Sequence, residues 1–270
     1  MKKFIDRVLI RSEEIIAIPT IVKAKNNLRS VNHPRAEILA TCIKEWLEKK
    51  FSMEEKIWLE KIHRQWKNIQ RRNDVIEIDD FGAGVPSSSN GIKKNVSLST
   101  ISVQNSRSER WLTLMFKIIR TLQPTTVLEL GTCIGVSGMY CAAGLKMNNK
   151  GMLVTIEGAA SYASVAKENF TAVELNNIIQ YTGRFSDVLP DILKDHQPID
   201  FVFIDGHHDG DATVSYFEQL LPFLSRSAWL MFDDISWSKS MRRAWKTIAE
   251  DKRVSFSLNL SLIGICYIEQ

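Results

Sequence analysis

The sequence predicts an α/β protein. It reads as a doubly wound, open sheet of seven strands with an antiparallel last strand, preceded by a helical N-terminal extension. Three observations carry this. Apolar runs and helical stretches alternate from Ser106 onward, the pattern of βα units in a parallel sheet covered on both faces. One of those runs passes straight into a glycine-rich turn, Val127-Leu-Glu-Leu-Gly-Thr-Cys-Ile-Gly-Val-Ser-Gly138. The chain closes on two apolar runs with a very short connection, a hairpin in place of another βα unit.

Residues 1 to 72 read as helical. The stretch Ala36–Leu47 places Ile38, Leu39, Cys42, Ile43, Trp46 and Leu47 on one face. Ser52-Met-Glu-Glu is a capping box that starts a second helix reaching about Arg72, with Ile57, Trp58, Ile62, Trp66 and Ile69 at helical spacing. Such a stripe reads first as core or as an oligomer contact, and second as a substrate platform. In the segment 73–105, Val75–Phe81 suits a short strand, and the breaker-rich stretch Gly82–Gly91 reads as a linker or a lid. The expected organisation is thus an extension with linker or lid over 1–105 and an α/β domain over 106–270.

Within the second part, a helix bearing Trp111, Leu112, Leu114, Met115, Ile118 and Ile119 ends before Pro124. Strands are expected at 126–131, 151–157, 177–182, 199–205 and 228–233. Helices are expected at 135–146, 160–176, 187–194, 210–224 and 238–251. The closing runs are Val254–Asn259 and Leu262–Ile268.

Bulk properties narrow the class. The 270 residues carry a net charge of +4, split unevenly. Residues 1–72 hold 17 Lys and Arg against 9 Asp and Glu, and the remainder holds 18 against 22. A basic head on a mildly acidic body fits either a solvated helical surface or contact with an anionic partner. The α/β part is not basic and lacks aromatic–basic interleaving, so nucleic acid is not expected as a partner. No apolar run approaches the roughly 20 residues of a membrane span, and the N-terminus lacks the apolar core of a signal peptide. Four scattered cysteines with no C-x-x-C pair suggest reduced thiols and a cytoplasmic location.

The glycine turn is the most informative element. Its spacing is G-x-x-x-G-x-x-G, with Glu129 two residues before Gly131. A dinucleotide site calls for G-x-G-x-x-G, and a dinucleotide-binding half does not end in an antiparallel hairpin. The second strand ends in Glu157, placed to accept both hydroxyls of a ribose. The third runs into Gly183-Arg-Phe-Ser-Asp187, where residues would flank an adenine ring, Phe185 by packing and Ser186 or Asp187 by hydrogen bonding, although Phe185 equally suits core packing. The fourth ends in Asp205-Gly-His-His208 and the fifth in Asp233-Asp234. Three carboxylates meeting at one sheet edge repel and call for a counter-charge, which a hard cation such as Mg²⁺ supplies.

Together these motifs resemble the class I S-adenosylmethionine-dependent O-methyltransferases, which are Rossmann-like. The closest patterns are those of the catechol type and the macrolide-sugar type. The resemblance covers the stretch from about Thr126 to the C-terminus. The segment Phe232-Asp-Asp-Ile-Ser-Trp-Ser-Lys-Ser-Met-Arg-Arg-Ala-Trp245 also looks like a branch of bacterial methyltransferases. It implies S-adenosylmethionine held by Glu129, Gly131, Thr132, Gly135, Ser137, Glu157, Gly158, Arg184, Phe185, Ser186 and Asp205. It implies metal ligation by Asp205, Asp233 and Asp234, and catalysis by His208 with Asp205. The base position three residues after the fourth-strand aspartate is a lysine in the catechol type and a histidine in the sugar type, and here it is His208. A cap for the next helix, or a place facing solvent, is the other reading of His207 and His208. Where the catechol type has an asparagine, this chain has Asp234. The extension matches no substrate-binding module. The expected activity is O-methylation of a small-molecule or sugar hydroxyl. The alternatives are an N- or protein-directed methyltransferase, or a non-catalytic cofactor-binding module docking through its N-terminal helices. A homo-oligomer formed through those helices is a further expectation.

Overall fold

The computed structural model describes residues 18–81, 91–104 and 108–270. The expectations for residues 1–17 and for most of the stretch 82–91 therefore lie outside the described residues. Helix α1 covers 18–30. It is followed by α2 (Pro34–Leu47) and α3 (Met53–Arg71). The expected capping box is present, with Ser52 Oγ accepting from Glu55 N and Glu55 Oε2 accepting from Ser52 N. Each bond satisfies one of the N–H groups that a helix start leaves open. Ile62, Trp66 and Ile69 are buried as the spacing predicts, whereas Ile57 lies at the edge of the stripe and is 60% exposed.

The segment 73–105 holds more structure than a linker. Strands β1 (Val75–Asp80) and β2 (Ile92–Ser97) pair antiparallel, from Val75 opposite Ser97 to Asp80 opposite Ile92. Helix α4 (Leu98–Gln104) follows directly. The sequence hides β2 because Ile92-Lys-Lys-Asn-Val-Ser97 is exposed over its first four residues and shows no apolar alternation.

The main sheet has seven strands: β3 (Thr126–Leu130), β4 (Met152–Glu157), β5 (Ile178–Thr182), β6 (Ile199–Ile204), β7 (Leu224–Phe232), β8 (Phe256–Asn259) and β9 (Gly264–Glu269). Their order is β5-β4-β3-β6-β7-β9-β8. The first five are parallel, and β9 runs antiparallel to both β7 and β8. The chain reverses its direction of travel at β3, so the cleft between the carboxyl ends of β3 and β6 is the switch point where open α/β sheets bind ligands. The helices are α5 (Glu109–Leu122), α6 (Val136–Met147), α7 (Ala160–Ala172), α8 (Phe185–His196), α9 (Gly210–Leu220) and α10 (Lys239–Ala249), with a 3₁₀ turn at Leu221–Phe223.

Alternate strand residues split between two apolar layers, as the period of two requires. Val127, Phe201, Phe203, Trp229, Met231 and Tyr267 join one layer, while Leu128, Leu130, Val202, Ile204, Leu230 and Phe232 join the other. The first layer runs without a break from the sheet through α5 and α6 to Leu39 and Ile43 of α2 and Ile62 and Trp66 of α3. No helix among the described residues is long and apolar enough to cross a membrane.

Candidate functional site

The site is built from loops at the carboxyl edge of the sheet. After β3 the chain turns through Gly131 at φ 107° and reaches Gly135, the N-cap of α6, at φ 83°. A side chain at Gly131 would place its Cβ 2.4 Å from the Asp205 carbonyl oxygen, and one at Gly135 would meet the Phe170 ring at 2.8 Å. Backbone and ring thus pass where only hydrogen fits, and both φ values disfavour L side chains. The turn is tied to the neighbouring strands: Gly131 N and Thr132 N donate to Ile156 O, and Asp205 N donates to Leu130 O.

Glu129 lies beneath this turn and is fully buried. Its strand partner is Thr155. Ser137 Oγ donates to Oε1 and Thr155 Oγ1 to Oε2, both at 2.6 Å. Thr155 in turn pairs with the Thr132 hydroxyl. Burial pushes the Glu129 carboxyl up to about 7 against the pull of these two hydrogen bonds, with the nearby Glu157 charge adding to the rise. The structure therefore gives Glu129 the role of a floor that fastens the first turn of α6 to β3 and β4.

Glu157 stands at the end of β4 and accepts from Cys133 N at 2.7 Å and Ala159 N at 2.8 Å. It thereby ties the glycine turn to the turn that follows β4. Arg184 caps α8, and its guanidinium lies 4.8 Å from the centre of the Phe81 ring. Phe185 packs on the backbone of Gly206 and meets Tyr216 edge-on at 5.6 Å. Ser186 is exposed and donates to Asp187.

On the other side of the switch point, His208 sits between two carboxylates. Its Nε2 is 3.7 Å from Asp205 Oδ1, and its Nδ1 is 3.6 Å from Asp234 Oδ2. His207, His208 and Asp234 all have positive φ, an arrangement uncommon for residues other than glycine and concentrated at functional loops. His207 bonds the Tyr216 hydroxyl through Nδ1 at 3.1 Å, so the two histidines face different partners. The helix cap that they were alternatively read as supplying comes from Asp209, which accepts from Ala212 N. Trp237 is 66% exposed, with its ring 6.4 Å from that of His208.

The expected magnesium site does not fit this arrangement. Asp205 and Asp234 approach His208 through different ring nitrogens, so the imidazole stands between them. Asp233 is buried at the end of β7, where its N–H donates to Ile204 O. Among the described residues no group of three His, Cys, Asp or Glu side chains is placed to hold a metal ion. The residues around the glycine turn are compatible with an adenosine-bearing ligand: a tightly packed glycine turn at the switch point, with a strand-end carboxylate beside it.

Three residues at this edge had no signal in the sequence. Thr155 is an ordinary strand residue until its register opposite Glu129 is known. Phe81 arrives from the β1–β2 hairpin, and Trp237 projects from the loop after β7.

Comparisons with known proteins agree with this architecture. Residues 128–235 match the family described as "Methyltransferase domain". A catechol O-methyltransferase of Niastella koreensis is 35% identical over 114 residues, which is 42% of this chain. The chain spans about half the length of that relative, 49%. Among solved structures, the O-methyltransferase TomG of Streptomyces achromogenes, in complex with SAM, aligns with a TM-score of 0.54 at 22% identity, covering 62% of this chain and 82% of that one. A methyltransferase of Podospora anserina bound to SAH aligns at 0.58 and 15% identity, over 78% and 87%. These structural likenesses concern the fold. Over residues 128–235 the chain is thus similar to a methyltransferase domain and to part of a catechol O-methyltransferase, and its fold is the one seen in the solved methyltransferases.

Proposed function

We propose that this chain is an S-adenosylmethionine-dependent O-methyltransferase acting on a hydroxyl of a small molecule or sugar, with His208 as general base. The observation that carries the reading is the imidazole of His208, held between Asp205 and Asp234 across the switch point from the glycine turn. When bound, the sulfonium cofactor supplies an electrophilic methyl group. Gly131, Gly135 and Glu157 are the residues to hold it, with Thr132 and Ser137 supporting them through the buried network on Glu129.

The chain's own task is to make the acceptor oxygen nucleophilic and to aim it. A hydroxyl docked at His208 gives its proton to one ring nitrogen. Imidazole takes and releases protons near neutral pH, which suits this work. The other nitrogen keeps its proton toward the opposite carboxylate, which stabilises the imidazolium that forms, as in other carboxylate–histidine pairs. Distances of 3.6 and 3.7 Å exceed a hydrogen bond, so neither nitrogen is locked before the acceptor arrives. Trp237 offers an exposed flat face beside the base against which a sugar ring or an aromatic acceptor packs. No metal-assisted step belongs to this reading, because the imidazole stands between Asp205 and Asp234.

Calorimetry with S-adenosylmethionine, with NAD as control, tests the class. Turnover of a panel of polyols, sugars and phenols then tests the chemistry. His208→Ala is expected to lower turnover at least ~100-fold, the usual scale for loss of a general base, with cofactor affinity unchanged. Tight NAD binding, or a fully active His208→Ala variant, would overturn the assignment.

A further inference from the structure

The hairpin β1–β2 lies outside the matched methyltransferase domain, yet it reaches the cofactor half of the sheet edge. The contact centres on Gly158, which directly follows Glu157. Gly158 does not have a positive φ, so conformational freedom is not what calls for glycine there. Space is: a Cβ on Gly158 would meet Phe81 Cδ2 at 2.9 Å, and its three nearest atoms all belong to Phe81. The phenyl ring fills the volume that a side chain at 158 would otherwise take.

The ring is held there from several sides. The Arg184 guanidinium lies 4.8 Å from its centre, within cation–π reach. Gly91, at the other limb of the hairpin, comes so close that its Cβ would meet Phe81 Cε1 at 2.9 Å. Ser161 Oγ on α7 donates to Glu77 O at 2.6 Å and fastens the hairpin to the helix that follows β4. Besides Gly91, the residues around Phe81 thus include Gly158, just after β4, and Arg184, at the start of α8. With the ribose at Glu157, as its place at a strand end suggests, Gly158 and Arg184 lie on the side toward the base, among the cofactor residues that the resemblance implies.

We propose that Phe81 forms a wall of the adenosine end of the cofactor site, an apolar surface supplied by the N-terminal extension in place of the side chain that Gly158 lacks. A purine has large flat faces, and a phenyl ring beside the ribose carboxylate gives one of its sides an apolar surface to pack on. The inference rests on the methyltransferase reading and adds to it a binding residue from outside residues 128–235.

The test is calorimetry on the full chain with two probes, S-adenosylhomocysteine and 5′-methylthioadenosine. The second carries the adenosine end without the amino-acid end. Phe81→Ala is expected to weaken both by about tenfold, the scale of one lost aromatic contact. Gly158→Leu alone drives a side chain into the ring and is expected to weaken both. In the Phe81→Ala background, Gly158→Leu refills the volume and is expected to recover part of the affinity, a non-additivity that general damage to the fold would not produce. Circular-dichroism melting accompanies each variant. Wild-type affinities in Phe81→Ala, or strictly additive losses in the double variant, would overturn the proposal while leaving the methyltransferase reading intact. Failure of the wild-type chain to bind either probe would remove both.

Discussion

Replacing Glu129 by glutamine should flatten the pH dependence of stability. Burial lifts this carboxyl from its ordinary 4.5 to about 7. The folded protein therefore holds the proton more tightly than the unfolded chain does. Its contribution is full below about pH 4.5, shrinks as pH rises through 7, and is lost above that, where folding must bury a charge. At 1.36 kcal/mol per pH unit, the interval is worth on the order of 3 kcal/mol. For a chain of this size that is about 6–12 °C in Tm. Glutamine keeps the shape and can still bond Ser137 and Thr155, but it carries no charge at any pH. The assay is thermal melting of the cofactor-free wild type and Glu129→Gln from about pH 5 to about pH 8.5, compared as a difference so that other titrating groups cancel. The variant should gain on the wild type as pH rises. Parallel curves would mean that Glu129 stays ionised in the fold and that the buried network is held by charge, which would refute the reasoning.

Two further outcomes follow from the glycine turn. Gly131→Ala should destabilise the protein by at least about 2 kcal/mol, read from the urea midpoint, because φ 107° and a 2.4 Å approach to the Asp205 carbonyl oxygen both oppose a side chain. A neutral substitution there would show that the turn yields. Cys133 sits in the same turn and is partly exposed, while Cys42, Cys141 and Cys266 are buried, with burial pushing the Cys42 thiol up to about 12. A thiol reagent should therefore label Cys133 first in the native protein, and S-adenosylhomocysteine should slow that labelling. Equal rates with and without it would count against the turn as the cofactor's seat.

Much of the fold was legible because strands covered on both faces must be apolar throughout. Short runs such as Ile199–Ile204 and Ala228–Phe232, alternating with helical stretches, read as buried strands. Of the hairpin, Val75–Phe81 was legible as a strand, but its partner was not, for the opposite reason. Its strand β2 turns most of its side chains to solvent and carries lysines and an asparagine. At the site, strand ends can be read one at a time, so the positions of Glu157, Asp205, Asp233 and Asp234 along the sheet edge were evident. Which of them meet was not. Three acids on one edge suggested a shared cation, but the left-handed backbone at His208 and Asp234 directs their side chains so that an imidazole stands between two of the carboxylates. His and Asp visit positive φ more readily than most residues, but residue type alone does not mark which of them do so here. Phe81 was hidden by distance along the chain, since its contact with Gly158 exists only once the hairpin has packed against α7.

The apolar layer that runs unbroken from the sheet into α2 and α3 bears on how the chain can be handled and how it can diverge. The stretch recognisable by homology begins at residue 128, but one flank of α6 is sealed by α5 and by the helices before it. Excising the recognisable part would bare that apolar flank to water. In evolution, substitutions on α6 and on the basic N-terminal helices must be accepted as matched sets. The stretch recognisable by similarity and the stretch that must change together are therefore bounded differently on the same chain.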